Sequence, residues 1–251
     1  MSSASALATA GSVVPASRGL VSIILATYNE RDNILNTLAE IRCYVPPPVE
    51  IIVVDDDSPD QTWKLVTDAD LTGVTLIRRV GTRGLASAFM RGIIESRGDI
   101  VGWMDADMCM PPSLLPQMIE ALREADVVIG SRYVAGGADV RHPIRRLASV
   151  IINRFAGLVL GYGIHDYDSG FVVLRRSVFD KVSIIPTGYG AYFIEFVYAC
   201  CRKGLRVREV PYVFRDRTSG ASKSLASLWH FAWLGSGYLY RIVRSRCRRL
   251  D

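Results

Sequence analysis

The stretch WMDADMCMPP, residues 103–112, places two aspartates one alanine apart, Asp105 and Asp107, where an apolar run beginning at Ile100 ends. Pro111 and Pro112 then turn the chain. Carboxylates at such a point supply hard oxygen ligands for Mg²⁺ or Mn²⁺, which ordinarily binds one or two carboxylates together with substrate phosphates. A dication there offsets the charge that develops on a departing diphosphate. A solvated loop has the same composition, so the pair alone decides nothing.

Other charged groups share this pattern. Asp55, Asp56 and Asp57 close a second apolar run. They can ligate a metal, hydrogen-bond a base or ribose, or open a helix with Ser58 or Asp60 as its N-cap. Cations supply the opposite sign. Arg132 follows the run DVVIGS, Arg145 and Arg146 lie in the basic segment RHPIRR, read as a loop, and Arg217 and Lys223 bracket the polar stretch RTSGASK. Arginine suits bidentate phosphate contacts and lysine a point-charge contact. Each cation is equally at home on a solvated surface. Taken together, acidic metal ligands ringed by cations imply a site for two phosphorylated partners.

These residues need a frame. Val21–Ala26 (VSIILA), Glu50–Val54, GVTLIRR, DIVGWM and DVVIGS read as buried strands. Between them, helical spacing predicts helices over Asn33–Val45, Gln61–Ala69 and GLASAFMRGIIES. The alternation predicts an α/β domain with a mostly parallel sheet and helices on both faces. Ligands of such sheets sit at the carboxyl ends of the strands, which is where both acidic clusters fall. The second half predicts helices over Leu147–Leu160 and Tyr192–Lys203, and strands at SGFVVLRR and LRVREVPYVF. No internal repeat or linker interrupts the chain.

The 251 residues are 49% hydrophobic, enough for one large core, and the net charge of +5 favours anionic partners. The five cysteines, Cys43, Cys109, Cys200, Cys201 and Cys247, have neither disulfide nor zinc spacing. They read as small apolar fillers in a reducing compartment. Residues 1–19, rich in Ser and Ala, are expected to be a disordered tail without signal-peptide features. No apolar run reaches the roughly 18 residues of a membrane span. ATYNER lacks the glycines of a dinucleotide fold, and no nucleic-acid motif is visible, so no nucleic-acid partner is expected.

The segments ATYNERDNI, VVDDDSPDQTW, RGLASAFMRG, MDADMCMPP, IGSRYVAGG, DSGFVVLRR and FRDRTSGASKS occur in that order from about Val21 to about Ser224. Together they resemble the dolichyl- or polyprenyl-phosphate mannose synthases, inverting family-2 glycosyltransferases of GT-A fold. The resemblance implies transfer of mannose from GDP-mannose to a polyisoprenoid phosphate with Mg²⁺ or Mn²⁺. It implies that Ala26, Tyr28 and Glu30 line the donor pocket and that Val54 and Asp56 hold guanine and ribose. Asp105, the Ala106 backbone and Asp107 match the metal and diphosphate site. Arg132, Arg217 and Lys223 match the phosphate-binding cations, and Arg145 and Ser149 the acceptor-phosphate contacts. Asp107, Arg132 and Arg217 are thereby the residues expected to act on the reacting phosphates.

Two positions depart from the family pattern. Ala26 stands where proline is usual, which implies a small backbone change. Cys109 stands where glutamine often completes the metal shell, and a thiol is a poor ligand for Mg²⁺. If Cys109 joins Asp105 and Asp107 at the metal, the metal preference shifts; otherwise water takes that position and the cysteine packs under the loop. His142, His165 and His230 read as structural or surface residues. Asp166 and Asp168 read as groups that hold sugar hydroxyls or the acceptor loop, not as a general base.

The domain is expected over residues 20–224. Residues 225–251, with aromatic residues followed by Arg241, Arg244, Arg246, Arg248 and Arg249, are expected to form a peripheral interfacial helix on the cytoplasmic face of a membrane. The alternative is a helix packed on the domain. Alternatives to the activity are glucose transfer from UDP-glucose to the same kind of lipid, and a non-catalytic membrane-binding protein.

Overall fold

A computed structural model describes residues 19–187, 190–215 and 228–247, the side chains of 228–236 excepted. The first half runs β1 (Val21–Thr27), α1 (Ile34–Tyr44), β2 (Val49–Asp55), α2 (Thr62–Asp68), β3 (Val74–Arg78), α3 (Leu85–Glu95) and β4 (Ile100–Asp105). A short 3-10 turn at Pro112–Leu114 leads into α4 (Leu115–Ala121) and β5 (Val127–Ser131). There follow β6 (Ala138–Asp139), α5 (Pro143–Leu160), β7 (Val172–Arg175), α6 (Tyr192–Arg202), β8 (Val207–Pro211), β9 (Val213–Phe214) and α7 (Leu228–Cys247).

Seven strands form one sheet in the order β3-β2-β1-β4-β7-β5-β8. All pairings are parallel except those of β7, which runs antiparallel to both β4 and β5. The chain winds outward from β1 to β3 and then returns to the other side of β1 with β4. The carboxyl edge between β1 and β4 is therefore a topological switch point, where ligands of such sheets bind.

The period-2 alternation of the strands feeds two cores. Ile24, Ile52, Val54, Val101 and Trp103 pack on one face with Phe89 of α3 and Phe193 and Phe196 of α6. Ile23, Leu25, Ile51, Val53 and Met104 pack on the other with Ile34, Leu38 and Ile41 of α1 and Met118 of α4. Strands buried on both faces read as continuous apolar runs, which is why β1, β2 and β4 were legible.

Several expectations need correction. The RHPIRR segment is not all loop: Pro143 begins α5, so Arg145 and Arg146 are helical. Proline at the first helical position costs no hydrogen bond that would otherwise form. The same tolerance explains α4, whose Pro116 lies in its first turn. The segment LRVREVPYVF is two strands. Pro211 ends β8 beside Ser131, and Val213–Phe214 pairs with β6 in a separate two-stranded sheet.

The C-terminal helix α7 packs against α5 and α6. Ile242 and Ser245 are buried, and Arg241 Nη1 lies 2.8 Å from Glu195 Oε2 on α6. The described part of this helix is therefore packed on the domain. Among the described residues, no helix is long and apolar enough to cross a membrane.

Candidate active site

The strand register brings the donor-side residues together. Ala26 is paired with Val54 on one neighbour and with Asp105 on the other. Tyr28 and Glu30 follow β1 directly. Glu30 is buried: its carbonyl accepts from the first amides of α1, its carboxylate accepts from Asn33 Nδ2 at 3.0 Å, and its own N–H donates to Thr62 Oγ1 at 3.0 Å. This residue fixes the turn that carries Tyr28 and ties it to α2.

The three aspartates after β2 have separate partners. Asp55 accepts from Thr27 Oγ1 at 2.7 Å and from the backbone and hydroxyl of Ser58 at 2.8 and 2.6 Å. Asp56 accepts from Arg79 Nε at 2.7 Å and from the Gly84 amide at 2.8 Å, and is 8% exposed. Asp57 pairs with Arg78, whose guanidinium stacks 3.6 Å over Trp63. Asp60, not Ser58, reaches the first turn of α2, accepting from the Thr62 amide at 2.9 Å. The Asp56–Arg79 pair secures the loop between β3 and α3. In that loop, Arg83 lies with its guanidinium carbon 3.5 Å from the centroid of the Tyr28 ring.

The loop after β4 is tightly held. Thr37 Oγ1 of α1 lies 2.9 Å from the Ala106 carbonyl, and the Cys109 amide donates to Asp107 Oδ1 at 3.1 Å. Met108 between them takes a left-handed φ of 62°. Cys109 is 6% exposed, packed under the loop. Among the described residues no three His, Cys, Asp or Glu side chains converge as a metal set. The loop thus carries two carboxylates, Asp105 and Asp107, with the Cys109 thiol buried beneath it. Two carboxylates fit Mg²⁺ or Mn²⁺, which keeps waters and phosphates for its remaining positions.

Across the sheet, Arg132 leaves β5 two strands from β4, at about 10 Å given the usual strand spacing. Its Nε and Nη2 form a bidentate pair with Asp166 at 2.8 and 2.7 Å, and Nη2 also donates to the Asp168 carbonyl at 3.0 Å. Burial opposes the Arg132 charge, but Asp166 outweighs it and holds the guanidinium well above its usual pKa. Arg132 is therefore a buried clamp on the Asp166–Asp168 segment.

Helix α5 covers this side. Arg145 and Ser149 lie one turn apart on it. Ser149 is buried, its hydroxyl oxygen has no hydrogen-bond partner among the described residues, and Asn153 Oδ1 accepts from the Asp168 amide at 3.3 Å. Asp168 is raised to about 6, chiefly by burial, with Arg132 and the Tyr238 hydroxyl of α7 pulling the other way. The buried Tyr192 hydroxyl at the start of α6 experiences both Asp105 and Asp168, so the two halves face a common region. Arg217 and Lys223 lie outside the described residues.

Sequence reading missed Thr37, Arg79, Arg83 and Tyr238. The arginines at 78 and 79 close a predicted strand at the carboxyl edge, which was the signal available for Arg79. Thr37 gave none, since its partner is a distant backbone carbonyl.

Comparison with known proteins agrees with this arrangement. The profile for Glycosyl transferase family 2 matches residues 22–183. A dolichol-phosphate mannosyltransferase of Pyrococcus furiosus is 38% identical over 231 residues, 89% of this chain, and the match spans 64% of that protein's length. A polyprenol monophosphomannose synthase of Mycolicibacterium smegmatis is 35% identical over 86% of this chain and 84% of its own. An undecaprenyl-phosphate mannosyltransferase of Micrococcus luteus is 35% identical over 80% and 85%. Among solved structures, glucosyl-3-phosphoglycerate synthase from Mycobacterium tuberculosis, in complex with Mn²⁺, UDP and glucosyl-3-phosphoglycerate, superposes with a TM-score of 0.70. That match covers 92% of this chain and 81% of the other at 19% identity, and it speaks to the fold. The switch-point acidic loop, the mixed sheet and the matched span together make this chain a member of glycosyl transferase family 2.

Proposed function

We propose that the protein transfers mannose from GDP-mannose to the phosphate of a polyisoprenoid lipid, with inversion at the anomeric carbon. The observation that carries this is the pairing of Ala26 with both Val54 and Asp105, which gathers the donor-side motifs at the switch point. The names of the three relatives supply the substrate class.

Tyr28, Val54 and the loop held by Asp56 line the donor side. Asp105 and Asp107 would hold Mg²⁺ or Mn²⁺, which neutralises the diphosphate as it leaves. The acceptor phosphate is already anionic near neutral pH, so it needs positioning more than a base. Arg145 and Ser149, on the inner face of α5, are the groups assigned to it. Arg217 and Lys223 complete the set by family resemblance. Arg132 acts through Asp166 and Asp168, as a positioning residue.

The acceptor requires contact with a bilayer. The outward face of α5 carries Ile144, Leu147, Ile151 and Leu158, all exposed, flanked by Arg146 and Arg154. Apolar residues beside cations suit an interface of anionic headgroups. This assigns membrane contact to α5 as much as to the C-terminal segment. Five free cysteines fit the cytoplasmic face, a reducing environment.

A donor panel of radiolabelled GDP-mannose and UDP-glucose, offered with polyprenyl phosphate in vesicles and Mg²⁺ or Mn²⁺, tests the reading. Labelled lipid is expected from GDP-mannose alone. Transfer from UDP-glucose alone would replace this assignment with the glucosyl one, and lipid binding without transfer would make the protein non-catalytic.

A further inference from the structure

We propose that Arg83 and Tyr28 form a two-plane clamp for the donor's nucleobase, so that Arg83 sets the strength of base recognition. This rests on the donor reading above for the identity of the base, but not for the clamp itself.

The central carbon of the Arg83 guanidinium lies over the Tyr28 ring, 3.5 Å from its centroid. Tyr28 is half-buried and Arg83 exposed. An exposed contact of this kind is weak, so it opens readily. The two backbones beneath it are fixed. On the Tyr28 side, the Asn29 amide donates to Ser58 Oγ at 3.0 Å. On the Arg83 side, the Gly84 amide donates to Asp56, and Arg79 Nη2 donates back to the Gly84 carbonyl at 3.0 Å. A Cβ added at Gly81, two residues before Arg83, would meet nothing within 4 Å, so the loop is open at that residue.

Two planar groups facing each other from held backbones are what a flat base can enter. Bases stack both on aromatic rings and on arginine planes. Arg83 swings outward on its own rotamers, the base lies on Tyr28, and the guanidinium closes over its other face. A purine covers more of both planes than a pyrimidine, so the clamp favours purine nucleotides. Asp56, by securing Arg79 and Gly84, acts on base affinity through Arg83's position.

Calorimetric titration of the full chain with GDP, UDP and inorganic pyrophosphate, each with Mn²⁺, tests this in the wild type, Arg83→Ala and Arg83→Lys. Arg83→Ala is expected to weaken GDP by roughly tenfold or more, the scale of one stacked base, UDP by less, and pyrophosphate by under about twofold on the same scale. Arg83→Lys keeps the charge but not the plane and is expected to behave like Arg83→Ala. Equal losses for GDP and pyrophosphate, restoration by lysine, or no loss at all would overturn the clamp. Unchanged thermal melting of both variants excludes misfolding as the cause. A wild type that prefers UDP to GDP would instead overturn the donor reading, and the clamp would still be judged by the nucleotide-against-pyrophosphate difference.

Discussion

The Thr37 hydroxyl, in the middle of α1, lies 2.9 Å from the carbonyl of Ala106, between the two aspartates of the β4 loop, sixty-nine positions along the chain. Both residues are buried. Thr37→Val keeps the shape and removes the donor. A buried carbonyl left unmet costs about 1–3 kcal/mol, and the loop carrying Asp105 and Asp107 loses its outer anchor. Chemical denaturation should show a loss in that range, and Mn²⁺-dependent nucleotide binding should weaken further than the stability change alone explains.

Asp168 carries a second prediction. Burial lifts its pKa from 3.8 to about 6. The folded state therefore binds a proton more tightly than the unfolded chain, and this group's contribution falls as pH rises from about 4 to 6. Above that window its ionised form is a standing cost of up to about 3 kcal/mol, with the opposing pull of Arg132 and of the Tyr238 hydroxyl already included. Asp168→Asn should raise the melting temperature at pH 7.5 relative to wild type, and the gain should shrink as pH falls to 5. A gain that does not vary with pH would mean the carboxylate is not the source.

The thiol of Cys109 offers a cleaner test of the metal loop. It is 6% exposed, and among the described residues no group of three His, Cys, Asp or Glu is placed to hold a metal. Cys109→Ala should leave Mn²⁺ affinity in the presence of GDP within about twofold, and cost about 1 kcal/mol of stability for the lost packing. A tenfold fall in Mn²⁺ affinity would return the cysteine to the ligand shell. Cys109→Gln adds an oxygen donor, and its Mg²⁺-supported rate is expected to rise relative to Mn²⁺.

The outer face of α5 predicts where the bilayer sits. Leu147→Glu with Ile151→Glu removes two exposed apolar side chains, each worth about 1.5–3 kcal/mol when fully buried, without touching Ser149 or Asn153 on the inner face. Cosedimentation with anionic vesicles should fall by at least about tenfold. Transfer to a short, water-soluble polyprenyl phosphate should be retained. Vesicle binding that survives both substitutions would move the contact elsewhere.

Much of this was legible because the residues concerned are local or periodic. β1, β2 and β4 are unbroken apolar runs, and their acidic ends fall at the carboxyl edge by geometry alone. What escaped is pairing across long separations. Nothing local announces that Arg132 would be bound by Asp166, thirty-four positions on. The RHPIRR segment read as a loop, yet Pro143 stands at the first position of α5, where proline is tolerated. The partition of LRVREVPYVF between two sheets depends on which strand lies beside each half, and that is a property of topology.

The Arg241–Glu195 pair fastens α7 to α6, and three residues before Arg241 the Tyr238 hydroxyl reaches Asp168. The C-terminal helix thus contacts the Asp166–Asp168 segment that the proposed acceptor side is built on. Cutting the chain at residue 225 would strip a hydrogen bond from a buried carboxylate and admit water beside it. A truncated protein that has lost activity could not say whether it had lost its hold on the bilayer or its active site, and only the α5 substitutions keep those two losses apart.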